Sequence, residues 1–377
     1  MKVLAFTPQY LPIVGGIEIL VDGLAKALRE HSVETVVMTD RPGELPEYEV
    51  VNETPVHRLD FCGPINTREP DKLLNAFGQL MALVEAERPD VIHMHAAMQG
   101  STWHTHRLYR KLELRPPLIV TQHTPMDSGQ RVSLARDVLL MADALTAVSR
   151  EALRSAINFS GRAGFSALIQ NGIEKLDSLA GGACPVTPPH RLICVGRLVH
   201  AKGYDVAIKA LAQVRKRGLD AELTIVGGGE ARRNLEEVAA AHGVSDYVYF
   251  QGMLHHANAR KAMAASSVLL VPSRIPEGFS LVVAEAALEG IPCVASRKGA
   301  LFETVKHGIS GLLVRPDDPG ALASAVIALL RDEAQRRRLG ENARRLAEET
   351  FGMDRCAQRY RMLYCACRDG TLEHCRL

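Results

Sequence analysis

The sequence lacks the features that would point to nucleic-acid binding or to a membrane span. Its 377 residues carry 45 Lys and Arg against 43 Asp and Glu, so the net charge of +2 gives no basis for a nucleic-acid partner. No apolar run reaches the ~18 residues that a membrane-spanning helix needs. The N-terminal segment has one basic residue and a short apolar run before Pro8, which predicts a first strand and no signal peptide. We therefore expect a cytoplasmic location.

Three common ligand-binding motifs are also absent from the sequence. There is no G-x-G-x-x-G, no Asp-x-Asp and no C-x2-C, although the chain has eight cysteines. Cys194 and Cys293 fall in predicted buried strands, which suits reduced thiols in a cytoplasmic enzyme. The cysteines near the C-terminus have no zinc-ligand spacing; they are Cys356, Cys365, Cys367 and Cys375. We expect neither a metal site nor a cofactor.

Predicted strands and helices alternate along the whole chain. Apolar strand patterns followed by helical patterns indicate an α/β fold with parallel sheets, and the length favours two or three domains. A Gly- and Pro-rich stretch near the middle predicts a linker. The expected organisation is an N-terminal domain over 1–178, a linker over 179–190, a C-terminal domain over 191–351 and a terminal helix over 352–377.

The most informative stretch is 272–296. It follows an apolar run over 267–271 and contains a helical pattern over 280–288 and a second apolar run over 291–295. Together these predict a strand–loop–helix–strand unit. Glu277 lies in the loop and Glu285 in the helix, so the two carboxylates are expected to be on the order of 10 Å apart. This suits the two ends of an elongated ligand, and the free N–H groups at the helix start favour a phosphate between them. A nucleotide sugar has this form; the alternative is an ordinary βαβ unit with two unrelated glutamates.

Other candidate donor residues lie in neighbouring predicted loops of the second half. Arg197 and Lys202 follow a predicted strand and precede a helix, where two cations suit a diphosphate; two solvated surface cations are the alternative. The Gly-rich turn 227–229 allows Gly228 to serve phosphate or nucleobase contact. Met253, in the next loop, is expected either beside the base or in the ordinary core.

In the first half, candidate residues also lie where predicted strands end. Gly15 and Gly16 separate a strand from a helix whose first turn holds Glu18, so a ligand could approach the backbone closely there. A tight turn is the simpler interpretation. His123 lies just past the carboxyl end of another strand, and His95 ends a third. A structural role is the alternative for both histidines.

Three of these patterns resemble one family. Glu277-Gly278-Phe279 followed by Glu285 resembles the Glu-x7-Glu motif of retaining glycosyltransferases of family 4, which have the GT-B fold. Many members have Gly where this chain has Ser280. The loop Gly15-Gly16-Ile17-Glu18 is similar to the family's glycine loop. Val195-Gly196-Arg197-Leu198, followed by Lys202-Gly203-Tyr204-Asp205, resembles its donor-phosphate clamp, with His200-Ala201 changing the spacing.

The resemblance implies two Rossmann-like domains facing a cleft, with the terminal helix crossing back to the first domain. It also implies a metal-independent transfer of a sugar from a nucleotide diphosphate to an acceptor hydroxyl, with retention. Glu277 would orient the sugar, Glu285 the ribose, and His123 would contact the donor sugar, although Thr124 replaces the family's usual Asp. The implied catalytic residues are His123, Glu277, Arg197 and Lys202. The implied donor-binding residues are Gly15, Gly16, Arg197, Lys202, Gly228, Met253, Glu277, Gly278, Phe279, Ser280, Leu281 and Glu285. His95 and Glu18 are assigned to the acceptor side.

Two other functions fit the same sequence. One is a nucleotide-sugar 2-epimerase of the same fold, and the other is a non-catalytic protein that binds sugar nucleotides. A UDP-sugar is the expected donor, with a hexose or N-acetylhexosamine as the sugar. The acceptor, a small molecule, lipid or glycan, would bind the first domain, where the loops 41–55, 63–70 and 124–131 carry no recognisable signature. Basic residues around 107–115 leave peripheral membrane contact open.

Overall fold

A computed structural model describes residues 1–67, 69–95, 99–126, 133–175 and 188–377. The chain divides into two compact units: unit 1 contains Met1–Glu174 and Met353–Leu377, and unit 2 contains Lys175–Gly352. The predicted linker falls mostly within 176–187, outside the described residues, so its boundaries stay a prediction. No helix in the described ranges is long and apolar enough to cross a membrane.

Unit 1 is built on a sheet that has eight strands in the described ranges. The strands are β1 (Lys2–Phe6), β2 (Glu34–Asp40), β3 (Tyr48–Val51), β4 (Thr54–Leu59), β5 (Val91–His95), β6 (Leu118–Gln122), β7 (Ala144–Ala147) and β8 (Ser166–Leu168). Their spatial order is β3-β4-β2-β1-β5-β6-β7-β8, and the order reverses between β1 and β5. The pairs are parallel except for β3 with β4.

The helices of unit 1 cover both faces of this sheet. They are α1 (Gly16–Glu30), α2 (Gly63–Thr67), α3 (Pro70–Glu87), α4 (Gln99–Lys111), α5 (Ser133–Met141), α6 (Arg150–Ser160) and, from the end of the chain, α14 (Met353–Arg368). Alternate strand residues point to opposite faces, so β1 places Leu4 in the core under α3 to α5 and Val3 in the core under α1 and α14.

The loops expected on the acceptor side contain regular structure. Residues 41–55 were predicted to be a loop, but they include β3, which pairs antiparallel with β4 at the sheet edge. This short strand is half exposed, and its apolar pattern is too weak to be recognised in the sequence. Residues 63–67 form α2. Of the third loop, 127–131 lies outside the described residues.

Unit 2 contains a six-stranded parallel sheet within the described residues. The strands are β9 (His190–Val195), β10 (Ala221–Val226), β11 (Val248–Gly252), β12 (Val268–Val271), β13 (Cys293–Ser296) and β14 (Gly311–Val314). The order β11-β10-β9-β12-β13-β14 is the order of a dinucleotide-binding Rossmann sheet, with its reversal between β9 and β12. Ligands of such sheets bind beyond the carboxyl ends of the strands at that reversal.

Helices cover both faces of the second sheet as well. They are α7 (Tyr204–Lys216), α8 (Arg232–Ala241), α9 (His256–Ala264), α10 (Leu281–Leu288), α11 (Leu301–Thr304), α12 (Pro319–Arg331) and α13 (Glu333–Thr350). One face packs against α7, α8 and α12, and the other against α9 and α10. The loop after β12 leads into the N-terminal end of α10.

Candidate active site

Glu277 and Lys202 meet where the strand order of unit 2 reverses. The loop after β12 carries Glu277, and a short 3-10 turn after β9, His200–Lys202, carries Lys202. The ammonium of Lys202 donates to a carboxylate oxygen of Glu277 at 2.7 Å, and the Ser273 hydroxyl donates to the same oxygen. The Glu277 side chain is only 12% exposed. Two partners therefore hold the orientation of a nearly buried carboxylate.

The backbone of the Glu277 loop is held from the far side as well. The amide of Ala300 donates to the Glu277 carbonyl at 2.9 Å. Gly299, with φ of +59°, lies so close that a Cβ there would be 2.6 Å from the Glu277 nitrogen. The ammonium of Lys298 donates to the carbonyl of Arg274 at 2.6 Å. These contacts fix the loop before any ligand binds.

Arg274 joins the Glu277 loop to the Lys202 turn. Its guanidinium donates to both carboxylate oxygens of Asp205 at 2.7 and 2.8 Å, and its amide donates to the carbonyl of Ala201 at 2.8 Å. Burial alone would raise the pKa of Asp205, but hydrogen bonds from Arg274 and Lys209 outweigh it and lower the pKa to about 2. The carboxylate of Asp205 is therefore ionised at neutral pH.

Arg197 differs from Lys202, because its side chain is exposed and makes no hydrogen bond or ion pair with any described residue. Gly196 before it has φ of +140°. The Gly-rich turn lies against this loop, since a Cβ on Gly227 would be 1.9 Å from the Gly196 carbonyl. A guanidinium without a partner remains available to an anionic ligand.

The start of α10 provides backbone donors beside the Glu277 loop. Ser280 is the residue before the first helical turn, and the first intrahelical bond of α10 runs from the Ala284 amide to the Ser280 carbonyl. The amides of the first turn, from Leu281 onward, therefore have no acceptor within the helix. Gly278 is buried, and the Phe279 ring packs edge-on against Phe351, with ring centroids 5.3 Å apart.

Glu285, deeper in the same helix, is paired with a histidine. Its side chain is 6% exposed, and the Nε2 atom of His256 lies 2.6 Å from one carboxylate oxygen. His256 is the first residue of α9. Nothing in the sequence pointed to this residue, because it lies 29 positions from its partner and no motif links the two.

Met253 is not in the core. Its side chain is 86% exposed, and a Cβ on Gly228 would lie 3.0 Å from its Cγ. Leu254 beside it packs against the α9–α10 face. An exposed methionine next to a glycine turn is an apolar surface that a flat ring can cover.

In unit 1, Glu18 folds back over the glycine loop. Gly15 has extended backbone and precedes α1, and a Cβ on it would be 2.4 Å from a carboxylate oxygen of Glu18. Glu18 is 8% exposed. Gly15 therefore leaves space for that side chain, and Gly16 begins α1.

The predicted histidines form part of a buried cluster at the carboxyl ends of β5 and β6. The Nδ1 atom of His95 lies 3.2 Å from Nε2 of His123. The ring centroid of His93 is 3.9 Å from that of His95, and its nitrogens lie 2.7 Å from the hydroxyls of Tyr364 and Thr121. Hydrogen bonds at both ends and one ring contact between His93 and His95 thus connect α14 with His123. No local pattern indicated a role for Tyr364, which is 271 residues from His93.

The three histidines are neutral at pH 7. Burial lowers the pKa of His93 to about 3 and that of His123 to about 4, and burial with the neighbouring rings lowers the pKa of His95 well below its ordinary value. Neutral His123 can donate or accept a hydrogen bond but carries no positive charge. This suits a contact to a sugar hydroxyl better than electrostatic stabilisation of a phosphate.

Comparison with known proteins agrees with this architecture. Residues 186–346 match the family described as glycosyl transferases group 1, and residues 14–175 match glycosyltransferase family 4. An uncharacterised glycosyltransferase of Methanocaldococcus jannaschii is 27% identical, covering 95% of this chain and 96% of that protein. A D-inositol 3-phosphate glycosyltransferase of Xylanimonas cellulosilytica is 29% identical over 91% of this chain and 89% of its own.

Solved structures share the fold over nearly the whole chain. Sucrose-phosphate synthase from Thermosynechococcus elongatus superposes with a TM-score of 0.82 and 25% identity, covering 97% of this chain and 99% of the other. Anabaena HepE in complex with UDP-glucose gives 0.78 at 22% identity, with coverage of 97% and 100%. The predicted α/β GT-B fold is confirmed, and the protein is a glycosyltransferase of this class. The two family matches together span most of the chain, which therefore belongs to the group 1, family 4 glycosyltransferases.

Proposed function

We propose that this enzyme transfers a hexose or N-acetylhexosamine from a UDP-sugar to an acceptor hydroxyl, with retention of anomeric configuration and without a metal. Donor binding is assigned to unit 2 and acceptor binding to unit 1. The observation that carries the proposal is the contact between Lys202 and Glu277 at the reversal point of a Rossmann sheet, with exposed Arg197 following the same strand as Lys202.

Each of these groups would contact a different part of the bound donor. Glu277 would accept hydrogen bonds from sugar hydroxyls, while Arg197, Lys202 and the first-turn amides of α10 contact the diphosphate. Glu285 would accept from the ribose hydroxyls, and exposed Met253 beside Gly228 would contact the base. Uracil is proposed because HepE was crystallised with UDP and UDP-glucose.

The chemical step would break the bond between the anomeric carbon and the diphosphate oxygen and form one to the acceptor oxygen. Negative charge grows on the diphosphate as it leaves, and Lys202, Arg197 and the first-turn amides of α10 stabilise it where it develops. The leaving phosphate oxygen would take the proton of the acceptor hydroxyl on the same face of the sugar, which gives retention. The roles expected of His123, at the donor sugar, and of His95 and Glu18, on the acceptor side, stay predictions.

The donor is tested first by thermal-shift measurements with UDP-, GDP- and ADP-sugars on the full chain, with and without EDTA. We expect a UDP-sugar to raise the melting temperature most, and EDTA to leave that shift unchanged. Product analysis by proton NMR then distinguishes transfer with retention from formation of a new epimer of the donor. A larger shift with GDP- or ADP-sugars would contradict the base assignment.

Substituting Lys202 tests the diphosphate contact. Lys202→Ala should lower kcat/KM by about 100-fold, because a fixed charge at the leaving group acts mainly in the transition state. Lys216→Ala is the matched control, since Lys216 is an exposed lysine in the last turn of α7. Both variants are compared with the parent by melting temperature. Unchanged kcat in Lys202→Ala at equal stability would exclude this role.

The acceptor class is left open among small molecules, lipids and glycans, and a cytoplasmic location is proposed. Contact with a membrane through α4 is not part of the proposal. Leu108 is 2% exposed, and the guanidinium of Arg107 lies over the rings of Phe77 and Trp103 at 5.1 and 5.5 Å. These side chains pack against one another and the core, so they do not form an apolar surface that a membrane could contact.

A further inference from the structure

The pair formed by His256 and Glu285 is not explained by the packing of its two helices. Helices α9 and α10 are already joined by a second pair one turn further along, Arg260 with Glu289, at 2.5 Å. Both side chains of that pair are enclosed, with exposures of 1% and 6%. His256 is 33% exposed, whereas its partner Glu285 is 6% exposed. The first pair therefore reaches solvent through the histidine, and the second does not.

A buried carboxylate needs hydrogen-bond donors, and His256 supplies one of them. Its Nε2–H donates to a single oxygen of Glu285 at 2.6 Å. One such bond leaves acceptor capacity on both carboxylate oxygens, since a carboxylate can accept about four. The bond also restricts rotation of the carboxyl group. Glu285 is thereby presented as a fixed acceptor for further hydroxyl donors.

We infer that His256 is a positioning residue that holds Glu285 in the orientation that accepts the ribose hydroxyls of the nucleotide, so that this pair selects ribonucleotides over 2′-deoxyribonucleotides. The inference rests on the proposed donor function and extends it to a residue outside the family motif. A site built around a fixed carboxylate rejects a ligand that lacks the matching hydroxyl, because the buried acceptor is then left unpaired.

The position of His256 in the chain supports a role at the nucleoside. It begins α9 only three residues after Met253, the exposed side chain beside Gly228. Met253, which would contact the base, and His256, which orients the Glu285 carboxylate that accepts from the ribose hydroxyls, therefore belong to one short segment. A nucleoside bound there would contact both.

The test uses the full-length chain and two ligands, UDP and 2′-deoxy-UDP, with dissociation constants measured by calorimetry at one pH and salt concentration. The parent should bind UDP more tightly, by about 10-fold or more. His256→Ala should weaken UDP binding and bring the ratio of the two constants towards one. His256→Gln, which keeps an amide donor, should restore part of the ratio. His255→Ala is the matched control, because His255 is the adjacent exposed histidine.

The ratio is measured within each variant, so a partly unfolded preparation does not distort it. Equal weakening of both ligands in His256→Ala would show a merely structural role and overturn the inference. So would a parent enzyme that does not discriminate between the ligands. A parent that binds neither UDP nor GDP would overturn the proposed function itself, a result distinct from an unchanged ratio.

In turnover, His256→Ala should raise KM for the donor and leave kcat close to the parent value, because the ribose is remote from the bond that breaks.

Discussion

Ser273 is not among the predicted site residues, but its side chain contacts one of them, Glu277. Its hydroxyl donates to the same Glu277 oxygen that accepts from Lys202. Removing the hydroxyl leaves Glu277 with one fewer partner in a place where it is only 12% exposed. We expect Ser273→Ala to cost about 1 kcal/mol of stability and to reduce kcat/KM by about 10-fold, since the carboxylate loses part of its fixed orientation.

Steady-state kinetics with the identified donor, together with urea unfolding, check this expectation. Ser166→Ala is the control, because that hydroxyl bonds an exposed carbonyl in unit 1 at 3.2 Å. The loss of kcat/KM in Ser273→Ala is compared with its loss of unfolding free energy. A loss of stability with full activity would mean that Lys202 alone orients Glu277.

At the scale of elements, Asp205 and Arg274 connect the start of α7 with the loop after β12. Their side chains are 15% and 14% exposed, and their double hydrogen bond is nearly enclosed. We expect Asp205→Asn and Arg274→Ala each to weaken donor binding, and the double variant to lose less than the sum of the two. A coupling energy of about 1–3 kcal/mol would be typical of residues in one hydrogen-bonded network.

The coupling between Asp205 and Arg274 should change only under strongly acidic conditions. The folded-state pKa of Asp205 is lowered to about 2, below its value in the unfolded chain. Its contribution to stability is therefore complete above about pH 4 and is lost as the pH falls towards 2. Coupling measured at pH 7 should equal that at pH 6. A coupling that disappears between those two values would show that another group is responsible.

The elements that position the site could be predicted from the sequence, but the contacts between them could not. Glu277 was expected in a loop after a buried strand and Glu285 in the helix that follows, because apolar runs and helical periodicity are local signals. The strand order that brings β9 beside β12 depends on pairing between distant segments. It therefore required the structure, as did the contacts of Lys202 with Glu277 and of His256 with Glu285. Met253 was ambiguous because methionine suits both core and surface.

At the scale of the whole molecule, the last segment of the chain completes the first unit. Tyr360, Leu363 and Tyr364 of α14 are at most 1% exposed and pack with residues of β1 and α1. Tyr364 also provides the hydroxyl contact of His93. Unit 1 therefore cannot acquire its complete core until the C-terminal helix has been synthesised. This dependence was implied by the family resemblance and not by any local pattern in α14.

The buried histidines predict how unit 1 responds to acid. His93, His95 and His123 have lowered pKa values in the folded chain, so below about pH 6.5 the unfolded chain binds more protons than the folded one. Stability must then fall as the pH decreases from about 6.5 towards 4, with up to about 1.4 kcal/mol per pH unit for each histidine. Trp103 is the only tryptophan of the sequence and packs, partly buried, against the core of unit 1, so its fluorescence reports that unit.

Urea unfolding followed by Trp103 fluorescence at pH 7, 6 and 5 measures this slope. His93→Gln should reduce the slope by about one proton, whatever its effect on stability at pH 7, because it removes one titrating group from the folded core. His374→Gln is the control, since His374 is 78% exposed and should leave the slope unchanged. Equal slopes in the parent and in His93→Gln would mean that His93 does not contribute to the acid sensitivity of unit 1.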